Sequence, residues 1–120
     1  MKRLREQGYS LVTSPQNCIE FWNSATRPLY KNGLGLSLSE ATSQLKLIER
    51  VFAVLPDAPN TYDEWKTLVT TFGVSGTKVH DARLAAVMQT HGINHISTFN
   101  FRDFTRYAPL GIVAFDPNTL

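Results

Sequence analysis

The chain has 120 residues, of which 42% are hydrophobic, so it is long and apolar enough for one folded domain and is neither disordered nor fibrous. Its formal net charge of +2, without a run of Lys or Arg, permits a polyanionic partner but does not require one. The single cysteine, Cys18, excludes an internal disulfide framework and favours a cytoplasmic location, and we expect it to be a small buried hydrophobe. No apolar stretch approaches the roughly 20 residues that span a bilayer, and the charged start is not typical of a signal peptide.

The sequence of the first half of the chain predicts the last turns of one helix, followed by two short strands and two helices. Residues 1–7 are typical of the last turns of a helix, which Gly8 closes. Serine caps a helix, proline suits its first turn, and glutamate three residues after a serine completes a capping box. The predicted elements are a strand over 9–13, a helix from Ser14-Pro15 to about 27, a helix from Ser37 and Glu40 to about 50, and a strand over 51–55.

The second half of the chain predicts two further helices, two strands and a helical turn. Apolar residues at helical spacing indicate the helices, and Gly73 and Gly92 end them. The predicted elements are helices over 60–72 and 79–91, strands over 93–97 and 111–115, and a helical turn over 102–107. Because strands alternate with helices, we expect a single α/β domain over 1–120 in which helices flank a parallel sheet.

Three acidic residues lie near the ends of the predicted strands, which is where functional side chains gather in parallel sheets. Glu20 is on the helix after the first strand, Asp81 is early in the helix VHDARLAAVM, and Asp103 follows the strand over 93–97. Singly, each has a structural explanation: Asp81 would favour the positive end of its helix, Asp103 would cap a turn, and Glu20 would be solvated. Together, converging carboxylates repel one another. A divalent cation such as Mg²⁺ or Mn²⁺ relieves that repulsion and supports phosphodiester hydrolysis.

Short motifs along the chain resemble a PIN domain, and more narrowly the VapC-type toxins of bacterial toxin–antitoxin pairs. The order and spacing of the motifs carry the resemblance, which covers about residues 4–117. The motifs are VHDARLAA (79–86), HGI (91–93) and TFNFRDF (98–104), together with IEFWN (19–23), TRP (26–28), NGLGLS (32–37) and PLGI (109–112).

The resemblance implies a metal-dependent endoribonuclease with acidic ligands on a Rossmann-like parallel sheet flanked by helices. Carried over by position, Glu20, Asp81 and Asp103 would be the catalytic residues that hold Mg²⁺ or Mn²⁺. Asn100 and Asp103 both fall on polar or acidic positions of the family in this segment, so either of the two would face the metal, and Thr98 would orient a ligand or water. The implied partners are RNA, an antitoxin protein and a second copy of the chain, and no membrane is implied.

Three basic residues near the expected acidic site have either a functional or a structural explanation. Lys78, Arg83 and Arg102 would contact RNA phosphates, or they would be solvated charges of the surface.

One part of the family pattern has no counterpart in this sequence. Nothing before Tyr9 resembles the family's first strand, which is central in the sheet and carries an aspartate in an Asp-Thr-Asn-like motif. We therefore expect an N-terminally truncated domain from which the central first strand and one metal ligand are absent. The alternative is a short chain in which a partner or a second copy fills the gap.

Two other functions are open at this point. The chain would be a catalytically impaired remnant that binds an antitoxin or itself, and exposure of Phe21, Trp22 and Trp65 would favour this function. Burial of the same aromatic residues would make them core residues. The third function is that of a plain α/β protein whose acidic residues are helix caps.

Overall fold

The computed structural model describes residues 7–119, which fall into two compact units, one within Met1–Pro56 and one within Asp57–Leu120. Each unit has its own helices and its own pair of parallel strands. None of the helices in the described range is long and apolar enough to cross a membrane. The helical end predicted over 1–7 lies, except for Gln7, outside the described residues. The single domain over 1–120 stays a prediction.

Within residues 7–56, the first unit contains two helices and one pair of short strands. Its elements are β1 (Val12–Thr13), α1 (Pro15–Thr26), a 3₁₀ turn (Leu29–Lys31), α2 (Leu38–Val51) and β2 (Ala53–Val54). β1 lies parallel to β2, with Val12 opposite Ala53 and Thr13 opposite Val54. The two helices pack against each other, and each buries one alanine completely: Ala25 and Ala41.

Both helices of the first unit begin at the serines that the sequence marks. The Ser14 hydroxyl accepts a hydrogen bond from the backbone N–H of Asn17 at 3.2 Å, and Pro15 takes the first helical position. Ser37 and Glu40 form the predicted capping box, in which both hydrogen bonds are 3.1 Å long. These caps satisfy backbone N–H groups that have no partner within the helix.

The second unit contains two packed helices and a second strand pair within residues 57–119. Its elements are α3 (Thr61–Thr71), a 3₁₀ turn (Gly76–Lys78), α4 (Val79–His91), β3 (His95–Ser97), a 3₁₀ segment (Phe101–Leu110), β4 (Val113–Phe115) and a last 3₁₀ turn (Pro117–Thr119). β3 lies parallel to β4, with Ile96 opposite Ala114 at the centre of the pairing. Gly92 ends α4 in the left-handed conformation (φ 68°), as predicted from its position.

The core of the second unit forms where α4 packs against α3 and against the 3₁₀ segment after β3. α4 contributes mainly alanines, and small side chains allow packed helices to approach closely. Phe104 and Tyr107, each 1% exposed, are the large aromatic residues of this core. The buried core residues are Leu68, Ala82, Ala85, Ala86, Met88, Phe104, Tyr107 and Ile112.

Short parallel strands flanked by helices confirm the predicted α/β fold class. The strands are shorter than predicted, and the one expected over 9–13 contracts to Val12–Thr13. The helical turn predicted over 102–107 is a longer 3₁₀ segment, Phe101–Leu110. Across residues 7–119, the four strands form two separate pairs rather than one continuous sheet.

The three aromatic residues that would be either exposed binding residues or core residues are partly buried. Phe21, Trp22 and Trp65 all fall in this intermediate class, and Trp65 packs against the core of the second unit. Cys18 is also only partly buried, so its prediction as a buried hydrophobe was too strong. Burial, followed by the charge of Glu49, raises the pKa of the Cys18 thiol.

Candidate acidic site

Asp81 lies in the first turn of α4 and is partly buried. Its position places the carboxylate at the end of the helix where the backbone dipole is positive. Asp81 is also within electrostatic reach of Tyr107. The pKa of Tyr107 is raised, first by burial; the Arg106 charge opposes this rise and the Asp81 charge adds to it. Asp81 therefore lies where the helix start meets the aromatic part of the core.

Asp103 lies in the first turn of the 3₁₀ segment that follows β3. Lys78, the residue before α4, donates a hydrogen bond to it, with 2.7 Å between Lys78 Nζ and Asp103 Oδ2. The aspartate side chain is 31% exposed and the lysine side chain 46%, so solvent reaches the pair. Because Lys78 precedes Asp81 by one helical turn, this ion pair brings the Asp103 segment to the start of α4.

Thr98 and Asn100 shape the turn between β3 and Asp103. The Thr98 hydroxyl accepts a hydrogen bond from the backbone N–H of Asn100 at 3.1 Å. The Asn100 carbonyl accepts one from the backbone N–H of Asp103 at 2.9 Å. These bonds fix the backbone that carries Asp103. The predicted role of Thr98 in orienting a ligand or water, and that of Asn100 as a polar group of the site, stay predictions.

Glu20 belongs to the first unit and is exposed on α1. Its carboxylate accepts a hydrogen bond from the side-chain amide of Gln16, one turn earlier, at 3.1 Å. This contact is typical of a solvated residue on a helix surface, and the role of Glu20 as a metal ligand stays a prediction.

Each of the three basic residues expected to contact RNA has a neighbour in the second unit. Lys78 is in the ion pair described above. Arg83, on α4, donates a hydrogen bond to Asp57, with 2.9 Å between Nη2 and Oδ2. The guanidinium of Arg102 lies 5.7 Å from the centre of the Phe101 ring. The side chains of Lys78 and Arg83 are 46% and 39% exposed, so a polyanion can reach them.

A model of the PIN-domain family matches residues 1–110, a range that includes Glu20, Asp81 and Asp103. The chain belongs to the PIN-domain family. Membership indicates a nuclease, commonly one that depends on a metal ion. Comparison of this PIN-domain protein with curated proteins and with solved structures finds no match.

Two of the three predicted metal ligands, Asp81 and Asp103, belong to the second unit of this PIN-domain protein. Asp81 and Asp103 supply carboxylate oxygens, the donors that Mg²⁺ and Mn²⁺ prefer. The ammonium group of Lys78 is the cation on the Asp103 carboxylate in this structure. In the range 7–119, no group of three or more His, Cys, Asp and Glu side chains is placed to hold a metal ion. The set of three ligands that includes Glu20 therefore stays a prediction.

An aromatic cleft of the PIN-domain protein lies on the second unit, and of the predicted site residues only Arg83 lines it. It has a volume of about 260 Å³ and opens between α3 and α4. Tyr62 and Trp65 stack there, with ring centres 5.9 Å apart and planes 18° from parallel. The spacing of these two aromatic residues, three apart on a predicted helix, is the sequence signal for the cleft. The lining residues are Asp57, Thr61, Tyr62, Trp65 and Arg83.

Proposed function

We propose that this PIN-domain protein is a metal-dependent endoribonuclease that hydrolyses RNA phosphodiester bonds. The match to the family model over residues 1–110 carries the proposal. The ion pair between Lys78 and Asp103, which brings the Asp103 segment to the helix start that holds Asp81, supports it. The proposed ligands of Mg²⁺ or Mn²⁺ are Asp81, Asp103 and Glu20, because carboxylate oxygens suit these ions.

The residues of the second unit have distinct roles in the proposed reaction. A bound Mg²⁺ or Mn²⁺ supplies an activated water and stabilises charge on the phosphoryl group. Asp81 and Asp103 would hold the ion through their carboxylates, and the turn that Thr98 shapes keeps the Asp103 backbone in place. Lys78 and Arg102 lie beside this turn as counter-charges for RNA phosphates.

Metal binding and RNA cleavage, measured side by side, test this proposal. We expect the wild-type protein to bind Mn²⁺ in calorimetry and to cleave a labelled single-stranded RNA only when Mg²⁺ or Mn²⁺ is present. Asp81→Asn and Asp103→Asn should each weaken metal binding and cleavage by more than about tenfold. Residues that only support the ligands of a metal site already cost roughly 10- to 100-fold when they are replaced, so loss of a ligand should cost no less.

Asp63→Asn is the matched control for both measurements. Asp63 is a 76% exposed acid on α3, where it pairs with Lys66 at 3.3 Å, so its loss should change neither binding nor cleavage. Cleavage that persists in Asp81→Asn, or that needs no added metal ion, would overturn the proposal.

A narrower proposal is that the protein is a cytoplasmic toxin neutralised by an antitoxin protein. The likeness of its motifs to VapC-type toxins supports this role. Induced expression in a bacterium should arrest growth, and Asp81→Asn, produced at the same level, should relieve the arrest, whereas Asp63→Asn should not. Normal growth in the presence of wild-type protein that cleaves RNA in vitro would contradict the toxin role and leave the nuclease.

A protein-binding role is the second candidate, and exposed apolar side chains of the first unit favour it. Leu29, Leu34 and Leu38 are 77%, 59% and 67% exposed. Backbone hydrogen bonds hold this stretch in place, since the N–H of Leu34 donates to the carbonyl of Ser24 at 2.9 Å. Exposed apolar side chains that lie near one another along the chain, as these do over residues 29–38, are candidates for an interaction surface. An antitoxin or a second copy of the chain would cover the surface that carries these leucines, and such binding requires no catalytic activity.

Sedimentation equilibrium over a range of protein concentrations tests self-association through these leucines. We expect a homodimer whose dissociation constant rises about tenfold when Leu29→Ser and Leu34→Ser are combined. Leu47→Ser is the control, because Leu47 is a 51% exposed leucine elsewhere on α2. A wild-type protein that stays monomeric throughout would exclude the homodimer.

A further inference from the structure

The aromatic cleft is small, and Thr61 and Trp65 are its fixed walls. Its volume of about 260 Å³ is below the roughly 300–1,000 Å³ of sites for drug-sized ligands, so it suits a single flat group. Thr61, 2% exposed, accepts a hydrogen bond from the backbone N–H of Ala58 at 2.8 Å. The indole N–H of Trp65 donates to the carbonyl of Val79 at 3.0 Å, which ties its ring to α4.

Tyr62 is the exposed wall of the cleft. Its side chain is 65% exposed, although its ring is stacked on the fixed ring of Trp65. The ammonium group of Lys66 lies 4.7 Å from the centre of the Tyr62 ring. Trp65 already covers the Tyr62 ring on one side, so a flat ring that extends this stack would take the place of the Lys66 ammonium group. Stacking on tyrosine is a general way in which proteins hold unpaired bases.

The cleft also has polar groups that suit a nucleotide. Arg83 and Asp57 pair with 2.9 Å between Nη2 and Oδ2, and their side chains are 39% and 43% exposed. Exposed ion pairs contribute little to stability, so this pair can open to another partner at low cost. A carboxylate accepts hydrogen bonds from the amino and imino groups of bases, and a guanidinium group binds phosphate.

We propose that the aromatic cleft binds one unpaired base of a single-stranded RNA, with Tyr62 stacking on the base and Arg83 contacting the adjoining phosphate. This inference rests on the proposed ribonuclease function and names a contact for its substrate. A base suits the cleft better than a peptide, because a stacked pair of aromatic rings and a pair of opposite charges both line it.

The base in the cleft is not the one at the cleaved bond. Arg83 is two residues after Asp81 on α4, and residues at that spacing point to different sides of a helix. An RNA that reaches both must pass the first turn of α4, so the cleft holds a flanking nucleotide. The protein should therefore prefer RNA with an unpaired base near the cleavage position over a continuous duplex.

Fluorescence anisotropy with a labelled single-stranded RNA, in EDTA, measures this binding without cleavage. Tyr62→Ala should weaken the affinity roughly 5- to 150-fold, the range expected for loss of one stacked base. Tyr62→Phe keeps the ring and should stay within about twofold of the wild type. Tyr9→Ala is the matched control, because Tyr9 is 60% exposed and belongs to the first unit, and it should leave the affinity unchanged.

The outcomes of this experiment test the base site independently of the proposed nuclease activity. Equal affinity of Tyr62→Ala and the wild type would overturn the base site, even if both proteins cleave RNA. An equal loss in Tyr62→Phe would overturn stacking as the cause. If Tyr62→Ala changed the oligomeric state in sedimentation but not the affinity for RNA, the cleft would be a contact between copies of the chain, and the inference would be overturned. Binding through Tyr62 without cleavage in Mn²⁺ would support the base site and overturn the proposed nuclease.

Discussion

Lys78 and Asp103 form a close ion pair across 25 residues of chain, in which Lys78 Nζ donates to Asp103 Oδ2 at 2.7 Å. The pair joins the residue before α4 to the first turn of the following 3₁₀ segment, one helical turn from Asp81. A lysine ammonium group and a divalent cation both stabilise an ionised carboxylate, so they compete for it. Lys78 is therefore a counter-ion within the proposed metal site.

Lys78→Gln is expected to raise the affinity for Mn²⁺, because it removes the cation that competes for Asp103. Exposed ion pairs are worth about 0.2–1 kcal/mol, which corresponds to a gain of roughly 1.4- to 5-fold in calorimetry. Lys66→Gln is the control, since Lys66 pairs with Asp63 on α3 and should not affect the metal. Unchanged affinity in Lys78→Gln, beside a loss in Asp103→Asn, would contradict the competition.

The helix ends were predicted well because capping chemistry is local. The Ser14 cap involves the backbone N–H of Asn17, three residues later, and Ser37 and Glu40 are equally close. Gly92 ends α4 because it adopts a positive φ that other residues avoid. Each of these signals lies within one turn of the residue that it fixes, so the sequence alone contains it.

The strands were predicted less well because a strand is defined by its partner. The apolar pattern predicts a strand over 9–13, but β2 pairs only with Val12 and Thr13. The strand over 93–97 contracts in the same way to His95–Ser97, opposite β4. Strand propensity shows which residues suit a sheet, whereas the partner decides how many of them pair.

The candidate site was predictable by position but not by contact. The sequence places Asp81 at a helix start and Asp103 after a strand, and the structure has both there. The partner of Asp103 is Lys78, 25 residues away, and that of Arg83 is Asp57, 26 residues away. Contacts at such separations depend on tertiary packing, which no local pattern contains.

Gly33→Ala is expected to destabilise the protein, because an added Cβ would overlap the backbone carbonyl of Arg27. A backbone group cannot rotate away as a side chain does, so the loop must shift, at a cost of about 3 kcal/mol in the free energy of unfolding. Gly73→Ala is the comparison, because its Cβ would meet open space and only its positive φ of 63° causes strain, about 1 kcal/mol. Urea denaturation measures both, and an equal loss would contradict the overlap.

Arg83→Gln is expected to weaken RNA binding and to reduce its dependence on salt. On a single strand, each phosphate contact contributes about 0.7 to the slope of log K against log salt concentration, so the slope should fall by about that amount. Anisotropy titrations in EDTA at several salt concentrations measure it. Arg50→Gln, at an arginine in the last turn of α2, is the control. Equal slopes for Arg83→Gln and the wild type would exclude a phosphate contact without excluding stacking on Tyr62.

Tyr107 is expected to make the stability of the protein fall at alkaline pH. Burial raises the pKa of Tyr107 above its ordinary value of 10.0; the charge of Arg106 opposes the rise and that of Asp81 adds to it. Because the pKa is higher in the folded chain than in the unfolded one, the stabilisation is fully present below pH 10.0 and is lost as the pH rises through the folded pKa. Between pH 10.0 and the raised pKa of the folded chain, Tyr107→Phe should lose less stability than the wild type.

Urea denaturation at a series of alkaline pH values measures the effect, with Tyr62→Phe as the control at a 65% exposed tyrosine. A slope in Tyr107→Phe equal to that of the wild type would contradict the buried hydroxyl as its cause. Asp81→Asn gives a second readout, because loss of the Asp81 charge should lower the pKa of Tyr107 in an ultraviolet absorbance titration. That shift would show that Asp81 acts on the core at the start of α4 whether or not the protein cleaves RNA.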